Sequence, residues 1–283
     1  MTTAPTTLVI GATGTTGSRT AAQLSAAGHH VRAASRRATP VAGTEHVPFD
    51  WYDPATHAAA LDGVDRVYLV PPVGDFDPAA TMLPFLRGAR AAGVRRAVLL
   101  SSSAIPEGGP AVGEVHQALP GLFEQWAVLR PSWFMQNFTG THAHALSIRD
   151  EGVIRTATGT GRVGFVDAED IAAVAVRALT DEQAPDTDLV LTGPEALGHD
   201  AIATIITEVT GRPVVHHRLS YEQLRDRLTT QGVPVEFAAM LAGMDRAIAE
   251  GAEDRVTGTV HRLTGRPPRT FRSLLERETR YSG

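Results

Sequence analysis

The chain has 283 residues, 43% hydrophobic and 20% charged, with a net charge of −5 and a pI near 6.1. It is long enough for a large core in one elaborated domain or two intimate ones, and it has no basic run that could track a nucleic acid. Cysteine is absent and every basic side chain other than His is Arg, which excludes disulfides, thiolate nucleophiles, Cys-based zinc sites and lysine chemistry.

The first element is a short apolar strand, Thr7-Leu8-Val9-Ile10, that runs directly into Gly11-Ala12-Thr13-Gly14-Thr15-Thr16-Gly17 and a helix over residues 18–27. In a dinucleotide-binding turn each glycine has a task. Gly11 lets the chain leave the strand sharply, Gly14 lets backbone N–H groups approach a pyrophosphate, and Gly17 lets the helix pack on the sheet. The helix then aims its positive dipole end at the phosphates. An ordinary tight β-to-α turn is the plainer alternative.

The end of the second strand, residues 30–34, bears on which dinucleotide binds. An NAD site places an acidic residue there, about 20 residues past the loop, to hold the ribose hydroxyls. Here Ser35-Arg36-Arg37 follows instead, and no acidic residue appears before Glu45. A hydroxyl and two guanidinium forks suit a 2′-phosphate, so NADP(H) is expected over NAD(H).

Alternation continues with a strand at 45–49, a helix at 54–61, a strand at 65–70, a helix at 78–92 and a buried strand at 96–100. This order predicts an α/β chain, a Rossmann-like doubly wound parallel sheet with a smaller C-terminal α/β lobe. In such sheets ligands lie at the carboxyl ends of strands. Val70, Pro71, Pro72, Ser101 and Ser102 are therefore expected to border the cofactor, with Asp50 and Trp51 near the adenine. Ser103 ends the same strand where a substrate-facing hydroxyl often sits. A loop over 105–113 leads to a helix at 114–123 that carries His116, a candidate proton donor whose plainer reading is a surface helix histidine.

After a strand at 126–130 comes Trp133-Phe134-Met135-Gln136-Asn137-Phe138, unusually aromatic for a chain with 6% aromatics. At least two of Trp133, Phe134, Met135 and Phe138 are expected to line a pocket, with Gln136 and Asn137 orienting polar edges. A strand at 163–166, a helix at 167–179, a strand at 188–192, a helix at 199–210, a strand at 213–219 and helices at 221–231, 235–250 and 270–279 complete the chain. The dinucleotide domain is placed at 1–130, completed by 163–192, and the smaller substrate-binding lobe at 131–283. His142 and His144, two apart on a presumed helix, would point about 200° apart, and His216 and His217 would face opposite sides of a strand, so no metal site is expected.

Across nearly its whole length the chain resembles the NmrA-like, atypical short-chain dehydrogenase/reductase superfamily. The resemblance is carried by residues 11–17, by Leu129 to Phe138, by Phe165-Val166-Asp167-Ala168-Glu169-Asp170-Ile171-Ala172 and by Leu191-Thr192-Gly193-Pro194-Glu195. Within it the 133–138 run looks most like the branch of ergot-alkaloid dehydrogenases, quinone reductases and aromatic polyketide tailoring enzymes. That resemblance implies a substrate lying between the two lobes over the nicotinamide.

The chain departs from ordinary short-chain dehydrogenases in lacking their Tyr-x-x-x-Lys pair, since it has no lysine and no tyrosine between Tyr68 and Tyr221. Two function classes follow. One is an NADPH-dependent oxidoreductase acting on a planar, quinone-like polyketide intermediate, including one that primes its product for hydroxylation by O₂. The other is a non-catalytic NADP-sensing module of the NmrA type. A cytoplasmic protein is expected, with no nucleic-acid or membrane partner, since no apolar run nears the roughly 20 residues of a membrane span. A second copy of the chain or a companion tailoring enzyme stays open as partner.

Overall fold

The computed structural model describes residues 5–75 and 77–281. Its strands are β1 (Thr6–Ile10), β2 (His30–Ser35), β3 (Glu45–Pro48), β4 (Arg66–Leu69), β5 (Arg96–Leu100), β6 (Gln125–Pro131), β7 (Val153–Thr156), β8 (Arg162–Val163), β9 (Thr187–Leu191), β10 (Leu197–Gly198) and β11 (Val215–Arg218). The helices are α1 (Thr15–Ala26), α2 (His57–Leu61), α3 (Pro78–Ala91), α4 (Gly113–Leu122), α5 (Ala143–Glu151), α6 (Ala168–Thr180), α7 (His199–Thr210), α8 (Tyr221–Thr230), α9 (Val235–Ala249), α10 (Thr259–Thr264) and α11 (Phe271–Tyr281). None of the described helices is long and apolar enough to cross a membrane.

The chain divides into two compact units. The first takes Met1–Pro131, Ala168–Leu191 and Arg262–Gly265, and the second Ser132–Asp167, Thr192–His261 and Arg266–Gly283.

In the first unit a seven-stranded, all-parallel sheet runs β3-β2-β1-β4-β5-β6-β9. Strand order reverses between β1 and β4, the switch point at which doubly wound sheets hold ligands. Near-continuous apolar strands such as β5 mark a sheet covered on both faces. Leu8, Ile10, Val67, Leu69, Ala97 and Leu99 point one way and pack with Met82, Phe85 and Leu86 of α3 and Val115 and Leu119 of α4. Their neighbours Val9, Tyr68 and Val98 alternate to the other face, where α1 and α6 pack together. Buried Arg96 donates to the carbonyls of Ala178, Leu179 and Asp181, so its charge caps the C-terminus of α6.

Several elements differ from the sequence expectation. The 54–61 helix is a short 3₁₀ turn, Pro54–Thr56, followed by the brief α2, because Asp53 caps the turn at Ala55 N–H. The strand expected at 163–166 shortens to β8, with only an isolated bridge between Phe134 and Val166 beyond it. The polar α5 and the short β7 escaped the sequence reading altogether.

The second unit pairs β7 with β11 in parallel and β8 with β10 antiparallel. Its core gathers Met135, Phe138, Ile154, Phe165, Ile202, Ile206, Phe271 and Leu274.

Candidate functional site

At the end of β1 the backbone turns through Gly11 at φ +72°, a conformation that L side chains rarely adopt. A Cβ on Gly11 would stand 2.9 Å from Val70 Cβ, and one on Gly17 would stand 2.1 Å from the Gly11 carbonyl oxygen. Gly11 and Gly17 are therefore demanded by packing around the loop. Gly14 N–H donates to Gly11 O at 2.8 Å and Ser18 N–H to Gly14 O at 3.0 Å, which fixes the turn. Helix α1 begins at Thr15, three residues earlier than the sequence suggested, and it starts without a side-chain cap or an acidic residue in its first turn. Thr13, Gly14 and Thr15 are exposed while Thr16 is buried. An uncapped helix start on an exposed glycine turn fits a pyrophosphate.

Gly17→Ala is expected to weaken dinucleotide binding by more than about tenfold, since the helix must retreat from Gly11 O. Calorimetric titration of the purified variant checks this, and unchanged affinity would refute a phosphate role for the turn.

Around this loop, Ser35 Oγ donates to Arg37 O at 2.7 Å, so its proton is already engaged in shaping the turn that exposes Arg36 and Arg37. Trp51 Nε1 donates to Val70 O at 3.0 Å, tying the segment after β3 to the end of β4, while Asp50 Oδ1 accepts Tyr52 N–H. Val70, Pro71 and Pro72 are half-buried at the end of β4. Tyr68 is wholly buried beneath α1, facing Thr16 and Thr20, and burial pushes its phenol up to about 12. It has no access to serve as an acid.

At the end of β5 the Ser101 hydroxyl is buried without a partner. Ser102 Oγ accepts Ala104 N–H, and Ser103 is buried with its N–H on Pro131 O. His116 is 3% exposed, which corrects the surface reading: α4 presses it toward Trp126, its Nδ1 is buried without a partner, and desolvation lowers its pKa.

The aromatic run is split by a short 3₁₀ turn, Met135–Phe138. Residues three apart eclipse on such a turn, so Met135 and Phe138 both point inward and join the core of the second unit. Gln136 is buried too and donates to Asp167 Oδ1 at 2.8 Å, where Arg277 reaches Oδ2 at 2.9 Å. Phe134 is half-buried beside the Val166 bridge. Of the four apolar residues expected at a pocket, Trp133 lines a cavity in this unit, accompanied by Asn137, while Met135 and Phe138 are core residues.

That cavity has a volume of about 410 Å³ and is walled by α5, α8 and α9. Such a size holds a small organic ligand. Trp133, Leu146, Leu224, Leu228, Leu241 and Met244 supply its apolar surface, and the rest of its lining is mostly polar or charged, with His142, His144, Asp150, Glu151, Arg155, Arg227 and Asp245 among it. His142 lies just before α5 and caps it, Nδ1 accepting His144 N–H at 3.2 Å. The two imidazoles are therefore neighbours, with centroids 4.9 Å apart, and not on opposite helix faces. Burial pushes His144 down to about 3, so it is neutral.

Asp245 was not singled out in the sequence, although the signal was there. Buried Ala238, Ala242 and Ile248 mark the inward stripe of α9, and Asp245 stands on it where an apolar residue belongs. Its Oδ2 accepts Ala157 N–H at 2.7 Å, and desolvation pushes its carboxyl up to about 6.

A wider groove of about 1060 Å³ in the first unit lies between α2 and α3. Its polar lining is already engaged: Tyr52 and Thr81 hydroxyls donate to Asp75, and His57 bonds Asp50 O.

With this geometry in hand, comparison with known proteins is informative. A family model described as NAD(P)H-binding matches residues 11–182. An uncharacterized oxidoreductase of Bacillus subtilis, YesF, is 45% identical over 274 residues, covering 97% of this chain and 95% of its own. Festuclavine synthase II of Penicillium roqueforti is 37% identical over 282 residues, 96% and 97% of the two chains. Among solved structures, the Escherichia coli NADPH-dependent quinone oxidoreductase QOR2 complexed with NADPH superposes with a TM-score of 0.80 at 24% identity, covering 97% of this chain and 99% of that one. The negative transcriptional regulator NmrA superposes with a TM-score of 0.70 at 14% identity, over 99% and 97%.

Proposed function

The chain belongs to the NAD(P)H-binding family, and from that premise we propose that it is an oxidoreductase that uses NADPH to reduce a planar, quinone-like aromatic compound. The observation that carries the reading is the second unit's ligand-sized cavity, whose wall sets Trp133 and several aliphatic side chains beside polar and charged ones. A sensing module needs no such chamber. The names of the relatives, an oxidoreductase, a festuclavine synthase and an agroclavine dehydrogenase, support an enzyme.

In this reading the turn at Gly11, Thr13, Gly14, Thr15, Thr16 and Gly17 holds the pyrophosphate, and Arg36 and Arg37 hold the 2′-phosphate. When bound, the dinucleotide supplies a hydride. The chain's own contribution is to position a flat acceptor against Trp133, by offset stacking worth about 0.5–1.5 kcal/mol and by apolar burial. A quinone is an acceptor that needs little activation, in keeping with the missing Tyr-Lys pair.

The test is oxidation of NADPH by the purified chain with menadione as acceptor, compared with an anthraquinone. Oxygen uptake recorded alongside separates plain reduction from reduction that primes the product for O₂. Trp133→Ala is expected to weaken anthraquinone binding at least about tenfold while NADPH affinity and Tm stay near wild type. Unaltered quinone affinity in that variant would remove the cavity from the reaction.

A further inference from the structure

We propose that Asp245 is the proton donor of this reductase, a buried carboxylic acid that takes the place of the absent tyrosine. The inference rests on the quinone-reductase reading above and adds to it the group that completes the chemistry.

The geometry comes first. Asp245 is carried on α9 and faces the cavity that also presents Trp133 and Met244. One carboxyl oxygen is anchored on Ala157 N–H at 2.7 Å, which orients the group in the cavity wall. Ala157, Leu224 and Ala242 form the apolar packing of this corner, so an anion there is poorly solvated. Among the described residues no ion pair compensates it: desolvation is the leading influence on this carboxyl, opposed by the Ala157 hydrogen bond.

The other ionisable groups around the cavity are accounted for. From α5 come His144, which burial keeps neutral, and Glu151, which is paired with Arg155 of β7 at 2.5 Å. His142, just before α5, is shifted down by burial, and Asp150 lies on the same helix. From α8 comes Arg227, and on α9 itself the Arg246 guanidinium turns away, 4.8 Å over the Tyr221 ring. Asp245 is thus the group in this cavity that burial holds protonated up to about pH 6.

The step balances simply. Two electrons and one hydrogen reach one quinone oxygen as hydride from NADPH, which is oxidised to NADP⁺; an O–H bond forms there, both C=O π bonds are lost as the ring becomes aromatic, and the second carbonyl oxygen is left with the electron pair as a phenolate. The Asp245 O–H bond breaks as its proton moves to that electron pair, giving the second hydroquinone hydroxyl. The carboxylate left behind regains a proton from water. A buried acid whose pKa lies near the working pH suits this task.

The experiment uses the full chain, NADPH and menadione between pH 5.5 and 8.5, with Asp245→Asn and Asp245→Glu. Wild-type kcat is expected to fall as pH rises through about 6, because the acid form is lost. Asp245→Asn, which can still accept Ala157 N–H, is expected to lower kcat at pH 6 at least about tenfold, flatten the profile and leave KM within about threefold. Asp245→Glu is expected to restore a pH-dependent rate.

A second readout needs no turnover. A carboxyl whose pKa is higher folded than unfolded makes the protein less stable as pH rises between the two values, so the Tm advantage of Asp245→Asn should grow between about pH 4 and 6, to roughly 3 °C. Wild-type rates and profile in Asp245→Asn would overturn the proposal while the reductase reading stands, as would a Tm difference independent of pH. A profile lost in His116→Gln but kept in Asp245→Asn would move the donor to His116 and overturn it equally. A wild-type chain that oxidises no NADPH with either quinone overturns both readings.

Discussion

Replacing Arg36 and Arg37 together with alanine is expected to lower NADPH affinity at least about 100-fold while changing NADH affinity little. The reasoning starts at β2, which ends on Ser35 where an NAD site would carry a carboxylate to hold the ribose. Ser35 Oγ closes a small turn onto Arg37 O, and the two guanidinium groups that follow are exposed, with no ion pair joining them to other described residues. They are therefore available to a dianionic 2′-phosphate. A charge-assisted contact contributes about 1.5–3 kcal/mol, one to two decades each, and exposure to salt reduces this toward the lower figure. Calorimetric titration of both cofactors at one ionic strength decides it. Equal wild-type affinities, or a double variant that keeps its preference, would mean that Arg36 and Arg37 only solvate the end of a strand.

The first unit was largely legible in the sequence because its signals are local. The turn at residues 11–17 announces itself through glycines whose replacements would collide with Val70 and Gly11 O, and the apolar strands beside it need only their own composition to be recognised. The alternation of strand and helix then forces a parallel sheet. What could not be read is information held at a distance. Trp133 and Phe138 look alike in the sequence, and only the 3₁₀ turn between them decides that Phe138 belongs to the core and Trp133 to a cavity. His116 looked like a surface residue because nothing in α4 shows that Trp126 lies against it. Asp245 becomes conspicuous only when the stripe of Ala238, Ala242 and Ile248 is known to face inward, and its raised pKa depends on α8 and the 157 backbone, remote in sequence.

The two histidines that the second unit keeps neutral are expected to cost it about 2–4 kcal/mol of stability on acidification from pH 7 to 5, of which the Asp245 carboxyl, pushed up to about 6, offsets about 1 kcal/mol. His144 stacks on Phe138 with centroids 5.5 Å apart and planes at 9°, and His199 packs edge-on to Phe165 while its Nδ1 bonds the Thr158 hydroxyl at 3.0 Å. Burial pushes both imidazoles down to about 3, and His142 and His216 beside them add repulsion whenever they are charged. Asp200 offers limited relief: it hydrogen-bonds His216 Nδ1 at 3.1 Å and also pairs with Arg218.

Unfolded, each imidazole takes up a proton near its ordinary value of about 6.5; folded, neither does so until the pH is far lower. Between those values the unfolded chain binds two more protons, so stability falls with falling pH by up to about 1.4 kcal/mol per unit for each group. Two groups acting over 1.5 units, from 6.5 to 5, set the upper figure, and residual solvation sets the lower. Urea unfolding at pH 7.5, 6 and 5 measures it. His144→Phe keeps a flat ring against Phe138 and is expected to remove about half of the pH dependence. A wild-type chain equally stable at pH 5 and 7.5 would show that these imidazoles accept protons in the folded state. Burial opposes the charged form of both groups, so it keeps the His144 imidazole deprotonated and the Asp245 carboxyl protonated, and only the second is left with a proton to give.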